Sequence, residues 1–260
     1  MARLTTTEGV TEAVVAITTY SHVHWLLTCQ LCFTGYNEML DERGDVEFQI
    51  IAGELCLDFV NTLDNRPVPE RRKELLPTYQ DLADWAVQAG ALSPLQRTAL
   101  LRETGIHPKA AAQALSKAIA LRECLYRIIS SVLRNRRAAS DDLEAFNSYR
   151  GEAFSNLQLK EARGGFRLGW RDDASPLDSI LWPIVRSASD LLTSPDLENV
   201  HECDMPSCRW IFADRSKNHR RRWCDMKVCG NRAKARKFYR RQTSAAGNRK
   251  RSASPVKRQG

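Results

Sequence analysis

Eight cysteines occur in the 260-residue chain, and four of them form a pattern. Cys203 and Cys208 are separated by four residues; fifteen residues follow, and Cys224 and Cys229 repeat the same gap. Each pair places two thiols on a tight turn, and the insert folds back so that four sulfurs face one point, the arrangement of a tetrahedral Zn2+ site. Four unrelated buried thiols or two disulfides are the alternatives. Disulfides need an oxidising compartment, and the rest of the chain carries little sign of export. We therefore read Cys203, Cys208, Cys224 and Cys229 as the ligands of one structural zinc ion. Four protein ligands leave no open position for a substrate or an activated water.

A segment of this size needs the metal. About forty residues bury too little apolar surface to offset their ordering entropy, whereas structural zinc supplies an apparent ~10–16 kcal/mol in finger peptides. Trp210, Ile211, Phe212 and Trp223 are the expected miniature core, residues 209–214 have the composition of a strand, and a helix is expected over residues 228–241. At 100° per residue, Val228, Asn231, Ala235, Phe238 and Tyr239 share one arc of that helix, expected to pack on the zinc core. Arg232, Lys234, Arg236, Lys237, Arg240 and Arg241 share the other, and Arg220, Arg221 and Arg222 add a second cluster.

A site of four thiolates and one Zn2+ carries a net charge of −2, so Arg222 and Lys227 are candidates for neutralising it. Two or three cations suffice for that. Residues 226–260 hold twelve Lys and Arg and no Asp or Glu, an excess that fits a polyanionic partner.

These residues resemble the CGNR zinc finger. The tetrapeptide stands here as Cys229-Gly230-Asn231-Arg232, followed by Ala233-Lys234-Ala235-Arg236; Cys203 and Cys208, Phe212-Ala213-Asp214-Arg215-Ser216 and Arg222-Trp223-Cys224 also match. Members of that family are typically bacterial proteins regarded as transcription regulators, and their finger follows a domain called ABATE. The resemblance implies DNA as the partner, whereas spacing and charge alone imply zinc and a polyanion.

The elements that position this finger belong to a longer body. The overall charge of +8 is uneven: residues 200–260 carry 18 basic and 4 acidic residues, net +14, against 21 basic and 27 acidic, net −6, in residues 1–199. An acidic body with a basic terminal module suits a regulator whose binding surface is segregated from its sensing or assembly domain. Residues 1–44 are read as an N-terminal extension. Polar residues such as His22, His24 and Gln30 interrupt its apolar runs short of the ~18–20 residues of a membrane span, and Arg3 is the only basic residue of a would-be signal peptide. Met39 is a candidate alternative start, and Cys29 and Cys32 are read as incidental. No membrane association is expected, and a cytoplasmic, nucleoid-associated location is.

The body spans residues 45–198. Leu57-Asp58-Phe59-Val60-Asn61-Thr62 looks like the string that recurs at the opening of the ABATE domain, with helix expected from Cys56. Asp58 and Asn61, three apart, would share a helical face and are candidates for lining a pocket for a small-molecule effector; the alternative is that they cross-link neighbouring backbone. Tyr79, Leu82, Trp85, Ala86 and Ala89 keep helical spacing up to a stop at Gly90, and Ser93-Pro94 with Gln96 forms a capping box. The longest helix is expected from Pro108 to Arg136, and another from Ser140. Alternation over residues 157–170 about Gly164-Gly165 reads as a β-hairpin. A last body helix is expected from about Ser175-Pro176, kinked or divided by Pro183, with Ser194-Pro195 as a hinge to the finger at residues 199–242. Residues 243–260 are read as a disordered basic tail.

The expected fold class is mainly α with some β (α+β): a helical N-terminal domain with a small hairpin, then a four-cysteine finger with short strands and one basic helix. No catalytic constellation stands out. The histidines are scattered, and nucleophile-elbow, phosphate-loop and His-Glu-x-x-His patterns are absent. His201 and His219 complete the ligand set less regularly than the four cysteines. A DNA-binding transcription regulator is the leading reading, with an RNA-binding module, or a small-molecule-processing body with a zinc assembly element, as the alternatives.

Overall fold

The computed structural model describes residues 47–171 and 177–252, with side chains as far as residue 242. The expectations for residues 1–44, including Cys29, Cys32 and Met39, and for the start of the last body helix at Ser175-Pro176, lie outside the described residues.

The first element, α1 (Leu55–Val60), is short, and five of its six residues are buried. It is followed by a two-residue antiparallel pair, β1 (Leu63–Asp64) and β2 (Lys73–Glu74). The helix α2 (Tyr79–Gln88) opens on a capping box from Thr78 and Asp81. It ends as Gly90 requires: at φ +73° this residue enters the left-handed region, so that its N–H reaches the Val87 carbonyl and the Ala91 N–H reaches that of Ala86. The capping box of Ser93 and Gln96 starts α3 (Pro94–Ile106) with proline in its first turn, as its sequence predicts. The long α4 (Pro108–Leu133) and then α5 (Ser140–Ser155) follow.

The expected hairpin is present: β3 (Leu157–Ala162) pairs antiparallel with β4 (Gly165–Trp170) across a two-residue turn, with Leu159 opposite Leu168. Pro183 stands where the last body helix is divided. A 3-10 turn over Leu177–Leu181 precedes α6 (Trp182–Leu192), and Pro183 sits in the first turn of α6, where no N–H donor is needed. Among the described residues, no helix is long and apolar enough to cross a membrane.

The body is organised around α1, which packs against α4 and α6. Leu57 and Phe59 are fully buried there, with Phe59 against the Trp85 ring at 5.2 Å. One buried charge serves the same junction: Arg122 on α4, only 2% exposed, donates to both oxygens of Glu74 (2.6 and 2.7 Å) and to Glu123 (3.0 Å). An unpaired guanidinium there would be strongly destabilising, and Glu74 and Glu123 remove that cost.

Beyond α6 the chain does not hinge at Ser194-Pro195. The Ser194 hydroxyl accepts from the Asp196 N–H to start a 3-10 turn (Pro195–Asn199), which leads straight into β5 (Val200–Glu202). β5 pairs antiparallel with β6 (Ile211–Ala213), and β6 packs on α1. Val200, Ile211 and Phe212 belong to the same buried cluster as the body core. The hinge reading is thereby corrected: burial is continuous from α1 into the finger. The last helix, α7 (Asn231–Ser252), runs ten residues into the stretch expected to be disordered; residues 253–260 lie outside the described residues.

Candidate metal centre and nucleic-acid surface

One turn and one wide helical turn bring the cysteines together. Cys203 follows β5 directly, and its N–H donates to the Trp210 carbonyl (2.8 Å). The chain then turns, with the Cys208 N–H on the Met205 carbonyl (2.9 Å). Asp204 N–H bonds the Arg222 carbonyl (2.9 Å), tying the first turn to the approach of the second. Cys229 lies in a π turn, Met226–Gly230, whose closing bond runs from the Gly230 N–H to the Asp225 carbonyl (3.0 Å).

All four sulfurs lie within 4.8 Å of one another and all four residues are buried. Cys208 Sγ is 3.6 Å from Cys224 Sγ, which is 3.7 Å from Cys229 Sγ. With Zn–S bonds of about 2.3 Å, the edge of a thiolate tetrahedron is about 3.8 Å, so the set fits zinc. Disulfide bonds, at about 2.05 Å, are excluded, since all four cysteines are free. Without a cation such a cluster cannot ionise fully: hydrogen bonding to Cys203 drives the Cys208 and Cys224 thiols far up, while donation from Cys208 and the other two holds Cys203 far down. A divalent cation at the centre favours all four thiolates together. One structural zinc ion is what this site holds.

The loop between the pairs is built on Asp214, which is 1% exposed. Its Oδ1 accepts from the Ser216 N–H (2.9 Å) and its Oδ2 from the Arg221 N–H (2.7 Å). Burial pushes its carboxyl up, but these hydrogen bonds outweigh that and hold it at about 2. His219 is turned to the Asp214 carbonyl (2.9 Å) and plays no part in the cysteine cluster.

The cations expected to contact nucleic acid divide into two kinds. Arg221 is half-buried; its guanidinium donates to the carbonyls of Trp223 and Cys224 and lies 4.5 Å above the Phe212 ring. It is therefore part of the scaffold around the metal. Arg222 is exposed but pairs with Asp204 (2.6 Å) and covers the Trp223 ring. Arg220, Arg232, Lys234, Arg236, Lys237, Arg240 and Arg241 are all exposed.

The helix face also differs from expectation. Phe238 and Tyr239, placed by sequence on the packed arc, are 58% and 66% exposed, and Ala235 is exposed. Ala233 packs against the core instead. Arg236, Lys237, Arg240 and Arg241 line an open groove of about 580 Å³ whose other wall is Asp204, Met205 and Pro206. The π turn is the reason. It holds one more residue than an α turn, and one residue rotates the downstream helix by about 100°, so the half-buried Val228 no longer shares a face with Ala235 and Tyr239. Asn231 is exposed and donates to the Lys227 carbonyl (2.9 Å), bridging the two helical segments.

The ABATE family model, described as "Putative stress-induced transcription regulator", matches residues 53–195, more than half of the chain, and the CGNR zinc finger model matches residues 199–242. The chain belongs to the ABATE family. Comparison with curated proteins gave no match.

With both parts identified, Asp58 and Asn61 acquire a role other than lining a pocket. Asp58 Oδ1 accepts from the N–H groups of Ile51 (2.9 Å) and Ala52 (2.8 Å), and the Ala52 carbonyl accepts from Ala213 of the CGNR finger (2.8 Å). Asn61 bonds both backbone groups of Ile211, donating to its carbonyl (2.8 Å) and accepting from its N–H (2.9 Å). Gly53, at φ +87°, brings its Cα alongside Ala213, whose Cβ and carbonyl stand within 3.6 Å of where a side chain would begin. Both polar side chains are thus committed to backbone, and the opening string of the ABATE domain serves as the dock for finger strand β6. The alternative raised from the sequence, a cross-link to backbone, is the one seen, but the backbone that Asn61 bonds lies 150 residues away and not nearby, so its partner left no local signal. Asp214 was a legible candidate, since an Asp two residues before a Ser N–H is a common local turn.

Proposed function

We propose that the protein is a DNA-binding regulator whose zinc ion fixes a cationic surface, with α7 and Arg220 as the contact elements. The observation that carries this reading is the set of exposed cations on α7, directly continuous with the metal turn. Lys and Arg at this density gain affinity by releasing counterions from the phosphate backbone. The zinc is saturated by four thiolates and supplies structure, so the proposed role is not enzymatic. A regulator of this kind would work in the cytoplasm, on the nucleoid. Because Asp58 and Asn61 are committed to backbone, this reading gives them no part in ligand sensing by the body.

The test is a salt titration of duplex-DNA affinity for the zinc-loaded chain. The pair Arg236→Ala and Arg240→Ala should weaken binding to all sequences alike and flatten the slope of log affinity against log salt by about 2. Unchanged affinity and slope would remove α7 as the contact surface. RNA competing better than duplex DNA would transfer the surface to the RNA-binding alternative.

A further inference from the structure

The side of α7 turned away from the groove carries two adjacent large rings. Phe238 and Tyr239 are 58% and 66% exposed, and their centroids lie 5.9 Å apart in an edge-to-face arrangement. Two adjacent exposed rings make a small apolar patch on an otherwise charged helix. Lys234, four residues before Phe238, and Arg241, three after it and at the edge of the groove, are its neighbours on the helix surface, and both are exposed.

The surroundings select the occupant. A second copy of this face would bring like charges together, because residues 226–241 hold seven Lys and Arg and no acid. A lipid surface calls for a broad apolar face, whereas among the residues whose side chains are described this one holds Ala235, Phe238 and Tyr239. Flat rings interleaved with cations match a nucleic-acid strand with unpaired bases, in which the base offers a π face and the flanking phosphates offer charge. We infer that Phe238 and Tyr239 stack on unpaired bases of a strand whose phosphates are held by Lys234 and Arg241. The finger then prefers opened or single-stranded nucleic acid to a fully paired duplex. This rests on the reading of α7 as a nucleic-acid surface.

The experiment uses the full-length, zinc-loaded protein and four labelled oligonucleotides of one sequence: duplex DNA, the same duplex with an unpaired bubble, the DNA strand and the RNA strand. The comparison is between wild type and Phe238→Leu with Tyr239→Leu, which keeps apolar area and helix propensity but removes the rings. Stacking contributes ~1–3 kcal/mol per base, equivalent to roughly 5- to 150-fold in affinity. The leucine pair should therefore lose affinity on that scale for the bubble and the strands, with little change on the duplex and an unchanged salt slope. Tighter binding of RNA than DNA, lost in the leucine pair, would uphold stacking and name the source of the strand. An equal effect on every oligonucleotide, no effect on any, or ring-dependent dimerisation or vesicle binding would overturn the inference. If wild type retained duplex binding with its salt slope while the leucine pair changed nothing, stacking alone would fall. If wild type bound no nucleic acid, the reading of α7 beneath it would fall as well.

Discussion

Among single residues, Asp58 shows most clearly how the body and finger are joined, because its environment works against its charge. Burial raises its carboxyl to about 6, against an ordinary 3.8, although the N–H groups of Ala52 and Ile51 partly offset that. A carboxyl raised on folding binds its proton more tightly in the native state. Its contribution is fully favourable below about 3.8 and is lost as pH rises through about 6. At neutral pH the ionised group therefore costs about 2–3 kcal/mol relative to its protonated form. Asp58→Asn keeps the oxygen that accepts both N–H bonds and removes the ionisation. Urea unfolding at pH 5 and pH 7 should show the variant gaining on wild type as pH rises, by about 1–2 kcal/mol over that window. Parallel pH dependences would mean that Asp58 is not the titrating group. Asp214 has the opposite sign: held at about 2, it stabilises above its ordinary range and loses that contribution as pH falls through about 2.

At the scale of elements, local signals were legible and rotations were not. The Ser93 capping box, the stop at Gly90, the two-residue hairpin turn and the division at Pro183 all follow from chemistry within a few residues. The four-cysteine site was legible for the same reason, since matched spacing fixes which sulfurs meet. The π turn at Met226–Gly230 was not, because an extra residue in one turn leaves no mark on composition, yet it decides which side of α7 faces the groove. The docking of β6 on Asn61 is a contact across 150 residues, invisible to any local pattern. Neighbouring arginines likewise look equivalent in sequence but differ in place. Arg221→Ala removes bonds to two carbonyls and a ring contact, and should destabilise the finger by about 2 kcal/mol. Arg220→Ala, at an exposed position, should leave stability within about 0.5 kcal/mol and weaken nucleic-acid binding. Thermal unfolding and a duplex titration of both variants decide this. Equal stability of the two would return Arg221 to the list of contact residues.

For the whole molecule, the finger and the ABATE body share one core through α1 and β6, while the charge is divided between an acidic body and a basic end. Body packing holds β5 and β6, Cys203 follows β5 with Cys208 on the next turn, and Cys224 and Cys229 meet them from the turn that launches α7, where a zinc ion would tie the two pairs together. Zinc therefore stands between the sequence and the orientation of the cationic helix, since four metal–thiolate bonds cross-link that turn to the strands, and the largely protonated thiols of the metal-free site lose that cross-link. The direct test is duplex affinity measured against zinc occupancy as a chelator removes the metal. One zinc per chain is expected, with affinity falling in proportion to its loss and returning when zinc is restored. Full affinity in the metal-free protein would contradict that expectation.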